Sequence, residues 1–127
     1  MRADEVVVIV PAHSALHSEV LALPKGHPDP GETPLQAAAR EVREETGVEV
    51  DLIASLGEID YTYDRAGREV YKRVHFYLFA YRGGELSHDH EIADVRWMPL
   101  EKAAESLTHA GERDMVRRAL SRSRAER

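Results

Sequence analysis

Residues 6–10, Val-Val-Val-Ile-Val, form an unbroken β-branched run, the pattern of a buried strand. A loop with two histidines follows over 12–18, and residues 19–23 read as a second short strand. Three prolines and two glycines within 24–32 predict an ordered loop rather than a helix or strand. The clearest helical pattern covers 33–46. Thr33 suits the N-cap, Pro34 the first helical position, and Gln36 completes a Thr-x-x-Gln capping box. Gly47 stands where a left-handed residue ends a helix. Beyond it, 48–56 and 58–63 read as extended, 64–67 as a turn, and 69–81, rich in Val, Phe and Tyr, as the longest strand. Gly83-Gly84 ends that strand, 93–98 is the last strand, and two short helices follow over 100–107 and 110–123. Strands and helices alternate irregularly, which predicts an α/β protein with a mixed sheet and helices on both faces.

The polar positions of the main helix carry the first chemical signal. At about 100° per residue, Leu35, Ala38, Ala39, Val42 and Thr46 fall on one stripe, the expected core face. Glu41, Glu44 and Glu45 gather on the other side, with Ala37 among them and Arg40 and Arg43 flanking. Like charges three and four residues apart repel on a bare helix, and a divalent cation reverses that effect. Hard cations such as Mg²⁺ prefer carboxylate oxygens and are often completed by substrate phosphates. Helix geometry alone leaves two readings open, a metal site and a solvated acidic face offset by the arginines.

Composition narrows the function classes. The chain has 127 residues, enough for one domain, and its 17 Lys+Arg against 23 Asp+Glu give a net charge of −6. That balance disfavours bulk binding to nucleic acid or anionic membrane. With no cysteine there are no disulfides, thiolate metal sites or thiol nucleophiles. The first residues carry no basic lead before an apolar core, and no apolar run reaches membrane-spanning length, so a cytoplasmic setting is expected.

Cations and aromatics offer candidates for an anionic, base-bearing ligand. Lys25 and His27 lie in the loop before the helix. Lys72, Arg73 and His75 lie on the long strand, with Tyr61, Tyr63, Tyr71 and Tyr77 nearby. Phosphates need cations and nucleobases stack on aromatics, although Tyr and Phe favour strands in any case. His13, His17, His88 and His90 lie on distant loops without cysteine, which favours solvated histidines over zinc. Trp97 and the stripe Met115, Val116, Ala119 and Leu120 read as core.

A longer motif adds to the helix. Gly26 is followed by Glu32 and then by Arg40-Glu41-Val42-Arg43-Glu44-Glu45-Thr46-Gly47-Val48. This segment resembles the Nudix box, Gly-x5-Glu-x7-Arg-Glu-U-x-Glu-Glu-x-Gly-U with U aliphatic, at every defined position. Leu23-Pro24-Lys25-Gly26-His27 resembles the corresponding stretch of diadenosine-polyphosphate-type members, and Arg96-Trp97-Met98-Pro99-Leu100 their downstream strand end. The resemblance implies an α/β/α sandwich around a mixed sheet and cleavage of a pyrophosphate bond with Mg²⁺, with Mn²⁺ as its substitute. It implies that Glu44 and Glu45 hold metal, that Glu41 ligates or acts as base, that Arg40 orients the glutamates, and that Glu32 supports them. A backbone carbonyl at Lys25 or Gly26 would complete the metal shell. Glu91 is either a further ligand or base, as in some relatives, or a solvated loop acid. The implied substrate is a small nucleotide, foremost a dinucleoside polyphosphate. The alternatives are an oxidised nucleoside triphosphate and, outside catalysis, nucleotide sensing, although sensors of this kind typically lose box glutamates and this chain keeps all four.

The N-terminal strand admits two alignments with that family. In one, residues 6–10 are the second strand and the first is lacking, which leaves an unpaired edge, marginal stability or a homodimer through that edge. In the other, 6–10 is the first strand and pairs as a hairpin with 19–23, with nothing missing.

Overall fold

The computed structural model describes residues 1–2, 4–12, 20–25, 28–88 and 91–125. His13, His17, Gly26, His27, His90 and most of the 12–18 loop therefore lie outside the described residues. The order is β1 (Glu5–Pro11), α1 (Pro34–Thr46), β2 (Glu49–Arg65), β3 (Arg68–Gly83), β4 (Ile92–Pro99), α2 (Leu100–Ser106) and α3 (Ala110–Ala125). The architecture is an α/β/α sandwich. No helix among the described residues is long and apolar enough to cross a membrane.

The β-branched run becomes β1, buried at residues 7–10, and pairs antiparallel with β4 from Glu5↔Pro99 to Val10↔Asp94. β2 and β3 form a long antiparallel hairpin closed at Ala66-Gly67, both with positive φ (52° and 77°), the tight turn expected over 64–67. The two extended segments expected on either side of Gly57 are one strand. Irregularities between Leu52 and Ala54 and between Ser55 and Gly57 let the pairing continue past the glycine, whose φ is 119°.

Residues 19–23 do not form the expected strand among their described members. Ala22 makes a single antiparallel bridge with Ile9. Its neighbours bond to the C-terminal half instead: the Leu21 amide donates to Thr108 Oγ1 at 2.8 Å and the Leu23 amide to Glu112 Oε1 at 2.6 Å. The backbone is satisfied by α3 and the turn before it rather than by a ladder.

Two two-stranded sheets result, β1–β4 and β2–β3. Met1 links them. Its ammonium donates to the Phe79 carbonyl at 2.8 Å and its carbonyl accepts the Tyr81 amide at 2.9 Å, the pattern of a parallel pair. Among the described residues, these are the only backbone hydrogen bonds on the edge of β3 away from β2. Alongside lies an apolar cleft of about 350 Å³, lined by Val6 and Val7 of β1, Ala37 of α1 and the consecutive β3 residues 73–79. Side chains alternate in direction along a strand, so consecutive residues can all line one space only where the strand's edge faces it.

The main core joins Val8, Ile59, Val74, Phe76 and Met98 to Leu100, Ala103, Leu107, Met115 and Val116 of the C-terminal helices. The stripe on α3 is thus core, as its spacing predicts. Trp97 is half-buried, with the Arg2 guanidinium 4.1 Å from its ring centre.

Candidate active site

α1 forms as its sequence dictates. The Thr33 hydroxyl accepts the Gln36 amide, the Gln36 side chain accepts the Thr33 amide, and Gly47 closes the helix at φ 78°. Its orientation differs from the simple stripe. The buried residues are Ala37, Val42, Glu45 and Thr46, while Leu35 is only half-buried. Ala37 faces the apolar cleft rather than opening an acidic surface. Glu45 is 8% exposed and Glu41 is half-buried, so of the three acids only Glu44 is exposed. The helix is turned toward the 20–25 segment and β3, which draws two of its acids into the protein.

Arg40 organises the outer part of the cluster. It grips both oxygens of Glu32 at 2.8 and 3.0 Å, and reaches Glu41 Oε1 at 2.7 Å and Glu44 Oε2 at 3.1 Å. The forked contact suits guanidinium geometry. The hydrogen bonds from Arg40 hold the Glu32 carboxyl below its ordinary range. By accepting these bonds, Glu32 in turn holds the Arg40 proton more firmly.

Glu45 forms the inner part. Burial, and then a hydrogen bond with Glu41, push its carboxyl up to about 8. Glu45 therefore keeps its proton at neutral pH, because a second carboxylate beside Glu41 is disfavoured in a poorly solvated place. Glu45 Oε1 also accepts the Lys25 amide at 3.3 Å.

The candidate cations separate by face. Lys72 shares the inward face of β3 with Val74 and Phe76, and forms no ion pair among the described residues. Burial, followed by the nearby charge of Lys25, lowers its pKa, while Glu41 and Glu45 oppose this. Lys25 places its ammonium 3.0 Å from Glu112 Oε2. Arg73 lies on the opposite face of β3, against Asp60 at 2.8 Å and Glu58 at 3.4 Å. On that face too, His75 stacks on Tyr77 at 4.6 Å, with Nε2 2.7 Å from Ser55 Oγ. Tyr71 bonds to Asp60, and Tyr63 is exposed on β2. Glu91 is exposed just before β4, its carbonyl accepting the Ala12 amide.

One participant escapes the sequence reading. Glu112 is fully buried and binds Leu23, Lys25 and the Tyr61 hydroxyl. Tyr61 joins them from β2. The signal for Glu112 was present: extending the stripe Met115, Val116, Ala119 back one turn lands on it, and an acid on an apolar face needs partners.

These residues fit a divalent cation. Among the described residues no three ligating groups converge into a finished cage, since Arg40 holds Glu41 and Glu44. Mg²⁺ does not need one, because it keeps several waters and takes one or two carboxylates. Glu45 beside Glu41 is a carboxyl pair that such an ion can occupy once Glu45 gives up its proton.

The description NUDIX domain matches residues 2–119. The chain is 48% identical over 96 residues to a Mycobacterium tuberculosis protein named "Putative mutator protein MutT4", across 75% of this chain and 39% of that one. It is 35% identical over 86 residues to the asymmetrical bis(5'-nucleosyl)-tetraphosphatase of Mus musculus, across 65% of this chain and 57% of that one. It thus spans less than two thirds of the length of either relative. The solved structure of a Caenorhabditis elegans Ap4A hydrolase in a binary complex shares the fold, with a TM-score of 0.75 at 23% identity over 95% of this chain and 87% of that one. With Glu32, Glu41 and Glu44 gathered around Arg40, and a match that runs nearly from end to end, the chain belongs to the Nudix family.

Proposed function

We propose that the chain hydrolyses a phosphoanhydride bond in a nucleoside diphosphate linked to a further group, with Mg²⁺ or Mn²⁺ held by Glu41, Glu44 and Glu45. The observation that supports this best is the buried Glu45 against the half-buried Glu41, near the Lys72 ammonium, which forms no ion pair among the described residues. When bound there, the cation neutralises anhydride oxygens and makes an attacking water more acidic. The protein's own contribution is positional. Arg40 keeps Glu32, Glu41 and Glu44 aligned, and Lys72 offers an unpaired charge to a phosphate. A glutamate of this cluster takes the proton that the water loses as its oxygen bonds to phosphorus. The bond from phosphorus to the bridging oxygen breaks, and two phosphate-ended products leave.

A dinucleoside polyphosphate is the first substrate, supported by the Leu23–Lys25 sequence and by the likeness to the mouse tetraphosphatase. The 48% likeness to a mutator protein favours a second reading, removal of oxidised nucleoside triphosphates. Mg²⁺-dependent hydrolysis across diadenosine tetraphosphate, diadenosine hexaphosphate and 8-oxo-dGTP separates them. Asymmetric cleavage with ATP among the products is expected. Faster cleavage of 8-oxo-dGTP selects the second reading. Glu44→Gln keeps shape without charge, and turnover should fall about 10²-fold or more. Normal turnover of that variant at saturating Mg²⁺ would defeat the metal assignment.

A further inference from the structure

Lys25 touches two acidic centres at once. Its backbone amide lies 3.3 Å from Glu45 Oε1, while its ammonium lies 3.0 Å from Glu112 Oε2 and 5.7 Å from the centre of the Tyr61 ring. Glu112 is 0% exposed, yet both of its oxygens have partners. Oε1 accepts the Leu23 amide at 2.6 Å, and Oε2 accepts the Tyr61 hydroxyl at 2.8 Å beside the ammonium. A buried carboxylate is tolerated only with such partners. Tyr61 remains a donor, since burial and then the Glu112 charge raise its pKa.

The Lys25 ammonium has a rival partner. Glu45 already feels its charge, and the backbone of the same residue sits against that carboxyl. An ammonium resting on Glu45 would occupy oxygens that a divalent cation needs. We propose that Glu112 is a positioning residue that parks the Lys25 ammonium away from the metal-holding glutamates and so leaves Glu45 open to the cation. The inference rests on the metal reading above.

The test is Mn²⁺ binding to the nucleotide-free full chain, followed by electron paramagnetic resonance, with kcat and KM taken at saturating Mg²⁺. Glu112→Gln keeps an acceptor for the Leu23 amide but loses the charge. Its Mn²⁺ affinity should weaken about tenfold or more, as for other groups that support metal ligands, a larger loss than that in kcat at saturating Mg²⁺. Adding Lys25→Met to that variant should restore the affinity, because the competing cation is gone. A purely structural role predicts no such rescue. Glu112→Asp draws the charge back by one methylene and should weaken binding in the same direction by a smaller factor, which keeps the question answerable if the Gln variant does not fold. Thr108→Val removes the Leu21 anchor without touching charge, and Mn²⁺ affinity should stay unchanged. Unaltered affinity in both Glu112 variants, failure of the Lys25→Met rescue, or an equal loss in Thr108→Val overturns the inference. A wild-type chain that binds no Mn²⁺ defeats the metal reading itself. Binding that is lost in Glu44→Gln but intact in Glu112→Gln defeats only the role of Glu112.

Discussion

Glu45 shows how one residue links burial to pH response. Its carboxyl has an ordinary value of 4.5 and is raised to about 8 in the fold, by burial first and Glu41 second. Between those values the folded chain keeps a proton that the unfolded chain has released. Stability from this group is therefore complete below pH 4.5 and is lost as pH rises through 8. In EDTA, the Tm of the wild type should fall across that window more steeply than the Tm of Glu45→Gln. Parallel Tm profiles for the two proteins would exclude a retained proton on Glu45. Mg²⁺ should flatten the wild-type profile, because an ionised Glu45 then has a partner.

At the level of elements, α1 was the most legible part of the chain, because its signals are local. Thr33, Pro34, Gln36 and Gly47 each act within a turn of themselves, and each performs its expected role. The facing of the helix was not legible, since it depends on what the 20–25 segment and β3 bring to it. Glu45 belongs by spacing to a polar face, and it is buried because Lys25 reaches it from a loop. Residues 19–23 misled for a related reason: their apolar pattern is that of a strand, but the partners of Leu21 and Leu23 lie near the other end of the chain. The box residues of the candidate site could be read directly, whereas Glu112 needed the α3 stripe to be followed onto a charged position. Gly47 gives the helix a sharp test. It and Gly31 both have positive φ, 78° and 82°. A Cβ on Gly47 would collide with the Glu85 carbonyl and the Ser87 hydroxyl, whereas one on Gly31 would meet nothing within 4 Å. Alanine at 31 bears only the backbone cost, about 1–3 kcal/mol, and alanine at 47 should cost clearly more in urea unfolding. Equal losses would show that the turn after α1 moves freely.

Across the whole molecule, the separation of the two sheets is the main departure from a continuous layer. An apolar cleft beside a β3 edge suits the alignment that makes β1 the family's second strand, and the Ile9–Ala22 bridge suits the hairpin alignment. Hydrogen exchange distinguishes an open edge from a covered one. Among residues 73–79, amides paired with β2 should exchange slowly and the alternate amides, directed at the cleft, faster. Uniform protection along the strand would mean that the edge is closed in solution. The bond from Leu23 to Glu112 spans 89 positions of sequence, and this separation sets an order of events. α1 has all its caps once residue 47 has been made, but the loop that carries Lys25 to Glu45 has only the Ala22–Ile9 bridge until α3 arrives and docks. The acidic helix is therefore an early product of synthesis and the assembled site a late one. By the same logic, a chain clipped ahead of α3 would keep its motif intact and lose the geometry that gives the motif its use.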